Sequence, residues 1–71
     1  MMAPTWRFSD TARQILRTVA TSAQWRERRR ERIDGCTELF ADAGPYHLRC
    51  WISADGQRAV VTGRIDPPRS P

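Results

Sequence analysis

The chain has no lysine and no asparagine, one histidine, one tyrosine, two cysteines and four glycines among 71 residues. Each shortage removes a class of function. Two cysteines, Cys36 and Cys50, do not make the disulfide framework of a small secreted domain. With His47 the sole histidine, a metal centre would draw on Cys36, His47 and Cys50, which offer one close pair, one distant thiol and no fourth ligand. In an extended strand positions 47 and 50 also point to opposite faces, which removes a Cys–His dyad as well. No G-x-S-x-G, H-E-x-x-H or phosphate-binding glycine loop occurs. No enzyme, cofactor or metal is therefore expected. No apolar run approaches the roughly 18 residues needed to span a bilayer. Met1 to Phe8 lack the apolar segment of a secretory signal, so a cytoplasmic chain without a membrane partner is expected.

What is present is positive charge. Twelve basic residues, all arginine, face eight acidic ones, for a net charge of +4. Arginine suits forked contacts to phosphate or carboxylate. A GC-rich gene gives the same bias, because lysine and asparagine codons are AT-rich, and it points to a bacterial or phage source. Arginine usage is thus weak evidence for nucleic acid. Apolar content of 39% and charged content of 28% lie in the globular range. A chain this short buries only about 60% of its unfolded surface, so pairing through a sheet edge would add stability.

The strongest local signal runs from Tyr46 to Ile65. Two alternating, β-branched and aromatic runs flank Asp55-Gly56, which predicts a β-hairpin. A two-residue turn with φ > 0 at Asp55 and Gly56 sets Ile52 opposite Ala59, Cys50 opposite Val61, Leu48 opposite Gly63 and Tyr46 opposite Ile65. That register gathers Tyr46, Leu48, Cys50, Ile52, Ala59, Val61 and Ile65 on one face, and a one-residue slip would scatter them. His47, Arg49, Trp51, Ser53, Arg58, Val60, Thr62 and Arg64 share the other.

Residues 1–8 read as an N-terminal arm, with Trp6 and Phe8 alternating around Arg7 and able to fold over Trp51 and Val60. Ser9 or Asp10 caps a helix with the apolar stripe Ala12, Ile15, Leu16, Val19 and Ala23. Thr18, Thr21 and Ser22 weaken it. Thr21 or Ser22 could start a second helix, Gln24 completing a capping box after Thr21. Trp25 to Asp34 reads as helix, bent from the first or separate, with Asp34-Gly35 as its end. Residues 36–41 fit a short helix or, better, a third strand with Ala41 opposite Tyr46, Leu39 opposite Leu48 and Glu38 opposite Arg49. Residues 66–71 form a proline-rich tail. The expected fold is α+β: an N-terminal helix or helix pair packed on a two- to three-stranded antiparallel β-meander, one domain over 9–65. Ile15, Leu16 and Val19 would cover Leu48, Cys50, Ile52 and Val61.

Two surfaces are candidate sites. Arg49, Trp51, Arg58 and Arg64, with His47, form a basic-aromatic hairpin face of the kind that stacks bases or grips acidic proteins. Arg26, Arg29 and Arg30 would lie along one side of the second helix and contact phosphates, although Glu27 and Glu31 dilute that block. The expected function is a small non-catalytic binding module acting on a macromolecular partner, a protein with an acidic surface or nucleic acid. Small chains of this kind often serve as accessory or inhibitory proteins, including those of phages and mobile elements. A structural homodimer is the remaining alternative.

Overall fold

A computed structural model describes residues 3–19 and 24–68. The elements in chain order are β1 (Thr5–Phe8), α1 (Asp10–Thr18), β2 (Arg26–Ile33), β3 (Cys36–Ala43), β4 (Tyr46–Ile52) and β5 (Arg58–Ile65). The five strands form one mixed sheet in the order β1-β5-β4-β3-β2, antiparallel except for the parallel pair β1–β5. The expected helix pair on a two- to three-stranded meander is thus corrected to one short helix and five strands.

The second half of that helix pair is strand β2. Seven of its eight residues are charged and five are arginine, so its side chains carry no apolar period that would commit it to a helix face. What commits it is the turn that follows. Asp34 and Gly35 both have positive φ, 52° and 80°, which is the backbone of a two-residue hairpin loop, and Ile33 pairs with Cys36 across it. Asp-Gly acts here as a hairpin turn and not as a helix stop. The proposed start of a second helix at Thr21 or Ser22 lies outside the described residues, as does Ala23.

Residues 36–43 form the expected third strand, two residues out of the expected register. Ala43 pairs with Tyr46 because Gly44-Pro45 closes a two-residue turn, with φ of 59° at Gly44. Leu39 therefore faces Cys50 and Ala41 faces Leu48. A shift of two preserves the side-chain faces. The register between β4 and β5 is as read from the sequence, from Tyr46 opposite Ile65 to Ile52 opposite Ala59. Its turn is not: only Gly56 has positive φ, and Gly56 N–H donates to Ser53 O (2.9 Å). Asp55 Oδ1 accepts from Gln57 N–H (2.9 Å) and from the Ser53 hydroxyl (2.5 Å). These bonds hold the Asp55 carboxyl below its usual range, the Ser53 hydroxyl contributing most.

Ser9 caps α1, its hydroxyl accepting from Ala12 N–H at 3.1 Å. The helix stops at Thr18, where β-branched residues begin and the Thr18 hydroxyl bonds back to Gln14 O (2.9 Å). It packs on β5. Ala12 and Ile15 are buried over Gly63, Val19 is buried beside Ala43 and Tyr46, and Ala59 and Val61 are buried on the same face of β5, while Leu16 turns outward at 39% exposure. The core is narrower than expected, since Leu48, Cys50 and Ile52 are only half-buried. Gly63 makes the close crossing possible: a Cβ there would lie 2.7 Å from Ile15 Cδ1 and 3.1 Å from Ala12 Cα.

Residues 5–8, expected as an arm, extend the sheet. Thr5 N–H donates to Gln57 O and Ser9 N–H to Val61 O. Trp6 pairs with Ala59 and Phe8 with Val61, which puts both rings on the helix side, stacked on each other at 6.0 Å. They do not fold over Trp51 and Val60. No described helix is long and apolar enough to cross a membrane.

Candidate functional site

Strand alternation gives the sheet two unlike faces. The helix side carries Ala59, Val61 and Gly63 with their neighbours. The opposite side has no element over it among the described residues. From edge to edge it presents Thr5 and Arg7 on β1; Arg58, Val60, Thr62 and Arg64 on β5; His47, Arg49 and Trp51 on β4; Cys36, Glu38, Phe40 and Asp42 on β3; and Arg26, Arg29 and Glu31 on β2.

Arg28 joins this face through a β-bulge. Glu27 pairs with Ala41 and Arg29 with Phe40, so Arg28 has no partner and the alternation is broken. Both arginines then reach the Phe40 ring, with Arg28 at 5.1 Å and Arg29 at 5.7 Å from its centroid; Arg49 approaches at 5.9 Å. Each of the three is held by a carboxylate: Arg28 by Asp42 (2.9 Å), Arg29 by Glu31, and Arg49 by Glu38 (2.6 Å). The Glu38–Arg49 pair expected from directly opposite positions survives as a diagonal contact. Each cation around Phe40 thus has a carboxylate partner, in pairs that remain open to solvent.

A row of charges crosses β2, β3, β4 and the end of β5. Arg28 Nε donates to Asp42, His47 Nδ1 lies 2.6 Å from Asp42 Oδ1, His47 Nε2 lies 2.7 Å from Asp66 Oδ2, and Arg64 Nε lies 3.2 Å from Asp66 Oδ1. Hydrogen bonds to Asp42 first, then Asp66, raise the His47 pKa above 6.5. The same bond to His47 is the main cause of the lowered Asp66 pKa. Both ring nitrogens are thereby committed, an arrangement in which the protonated ring donates to a carboxylate on each side.

The other half of the face differs. Thr5, Arg7, Arg58 and Val60 line an open depression of about 440 Å³ together with Trp51, and a second of about 370 Å³ runs from Trp51 toward Arg49 and Thr62. Arg7 and Arg58 are exposed and make no salt bridge among the described residues.

Of the residues singled out from the sequence, Arg49, Trp51, Arg58 and Arg64 lie together on this face, with Arg26 and Arg29 at its β2 edge. Arg30 does not. As a strand neighbour of Arg29 it pairs with Leu39 on the helix side and bonds Glu27 (2.8 Å). Sequence reasoning missed Arg7, Arg28 and Phe40. Arg7 sits in an alternating T-W-R-F run, a strand signal, but its parallel partner is 53 positions away. Nothing in the run of arginines marks the bulge. Cys36 and Cys50 lie on opposite faces, and burial raises the Cys50 thiol pKa. Among the described residues no group of three or more His, Cys, Asp or Glu side chains is placed to hold a metal ion. In comparison with known proteins, the chain matches no family model, no curated protein and no solved structure.

Proposed function

We propose that this chain is a non-catalytic binding module whose working surface is the open sheet face, and that its partner is an acidic macromolecule. The observation that carries this reading is the face itself: uncovered among the described residues, with the rings of Phe40 and Trp51 set among arginines from four of the five strands. Such a surface offers apolar area and charge together, the pairing that makes tryptophan and arginine frequent anchors of binding sites. The enclosure of His47 between Asp42 and Asp66 favours binding over catalysis, since a general base needs a free nitrogen aimed at a substrate. Sheet-edge dimerisation has weaker support, because β2 offers a neighbour seven charged residues of eight, and charges on an edge oppose pairing.

The test compares equal losses of charge at two places. Arg7→Gln with Arg58→Gln removes two cations from the open face; Arg13→Gln with Arg17→Gln removes two from the exposed side of α1. On an immobilised polyanion such as heparin, the first double variant should elute at lower salt than the second. Equal elution would mean that net charge alone governs retention and would sink the assignment of the face.

A further inference from the structure

Resting on that reading, we infer that the partner is single-stranded nucleic acid, and that Trp51, Arg7 and Arg58 form a nucleotide subsite in which a base lies on the indole and the flanking phosphates meet the two arginines.

Leaving aside Arg64, which is tied to Asp66, and Arg26, which stands at the far β2 edge without a salt bridge among the described residues, the arginines of the face fall into two kinds. Those around Phe40 are each paired with a carboxylate, Asp42, Glu31 or Glu38, which offsets their charge. Those around Trp51 are not: Arg7 and Arg58 have no salt-bridge partner among the described residues, and Asp55 acts on Arg58 only at longer range. Two of the three face arginines without a salt bridge among the described residues thus share a depression with the largest flat side chain of the face, and this is where an incoming anion gains most.

The parallel pairing of β1 with β5 creates the site. It sets Arg7 opposite Val60 and Thr5 opposite Arg58, while Val60 faces Trp51 across β4. Trp51 thereby lines one depression with two guanidinium groups and the Thr5 side chain, all supplied by β5 and β1 on one side of β4. A base and its phosphates have the matching composition, a flat π-surface a short distance from negative oxygens. Stacking is sequence-tolerant, and arginine adds cation–π attraction to the base.

Shape selects a single strand over a duplex. Five strands at about 4.8 Å spacing make a surface roughly 19 Å across. The DNA major groove is about 12 Å wide and admits a helix or a two-stranded ribbon, not an open sheet. Unpaired bases can splay onto such a surface. Phe40, approached by three guanidinium groups and diagonal to Trp51 at about 7–8 Å, offers guanidinium planes for a neighbouring base.

The experiment is a titration of the full chain into a fluorophore-labelled oligothymidylate of about 12 nucleotides, which lies in the range one small domain covers, with affinity read by anisotropy and tryptophan fluorescence recorded alongside. Matched arms use a duplex of the same length and poly-glutamate. The single strand should bind most tightly and quench fluorescence. Trp51→Ala should weaken it by about five-fold or more. Arg7→Gln and Arg58→Gln, both at exposed positions, should each make the fall of log affinity with log salt shallower by about 0.7, and Arg17→Gln should not. Equal or tighter binding of the duplex would overturn the inference, as would single-strand binding indifferent to all three variants of the subsite. Binding of poly-glutamate without any single strand would overturn it while leaving the open face as the working surface. Binding of none of the three polyanions at low salt would remove both.

Discussion

The crossing of α1 over β5 at Gly63 is the most sensitive point of the fold, and Gly63→Ala tests it. An ideal Cβ at 63 would sit 2.7 Å from Ile15 Cδ1 and 3.1 Å from both Cα and N of Ala12. Ile15 is fully buried and has no open space to swing into. Ala12 presents backbone, which cannot turn aside, so the helix itself has to lift by several tenths of an ångström. Overpacking of this kind costs about 1–3 kcal/mol. Restricting the unfolded chain returns about 0.4–1 kcal/mol. A net loss of ~1–2 kcal/mol in a domain of this size lowers the midpoint by about 4–8 °C per kcal/mol, hence by about 5–15 °C. Thermal unfolding followed by far-ultraviolet circular dichroism reads the midpoint. A midpoint equal to or above that of the parent chain would refute the close approach of helix and strand.

Three other perturbations check neighbouring parts of the structure. Ser9→Ala removes the acceptor for Ala12 N–H and should cost about 1 kcal/mol by urea denaturation, since a nine-residue helix has few other sources of stability. Ile15→Ala should cost about 2–5 kcal/mol and more than Leu48→Ala, because Ile15 is fully buried and Leu48 is not; the reverse order would misplace the core. His47 has a raised folded pKa, so its contribution is complete below the unfolded value of 6.5 and is lost as pH rises through the higher folded value. Asp66, with a lowered folded pKa, contributes above 3.8 and loses its share as pH falls through the folded value. The stability difference between the parent chain and His47→Gln should therefore be greatest between those two unfolded values and shrink toward alkaline pH. A difference that grows on raising the pH would contradict the bridge from Asp42 to Asp66.

Local chemistry in the sequence carried the β4–β5 pair. Leu48, Cys50, Ile52, Ala59 and Val61 alternate with arginines and tryptophan, which fixes the faces, and Asp55-Gly56 lies at the centre of the loop whether two residues or four close the hairpin. That is why the pairing stands even though the turn at Ser53–Gly56 differs from the two-residue form expected. The Ser9 cap, the short apolar stripe of α1 and the grouping of Arg49, Trp51, Arg58 and Arg64 were legible for the same reason: each depends on residues close in sequence. The strand at 26–33 was not. Its side chains are nearly all charged, and charged residues on an exposed element mark neither period. Only pairing with β3, through Asp34-Gly35, decides that it is extended. Tertiary structure alone brought Arg7 beside Trp51, turned Trp6 and Phe8 to the helix side, and set Arg28 and Arg29 on one face through a bulge. Each of these depends on which strand lies next to which, and a parallel partner 53 positions away leaves no mark on the residues in between. The sequence by itself determined a basic, aromatic hairpin face. Pairing between distant strands decided how wide that face is and which of its arginines are left without a carboxylate.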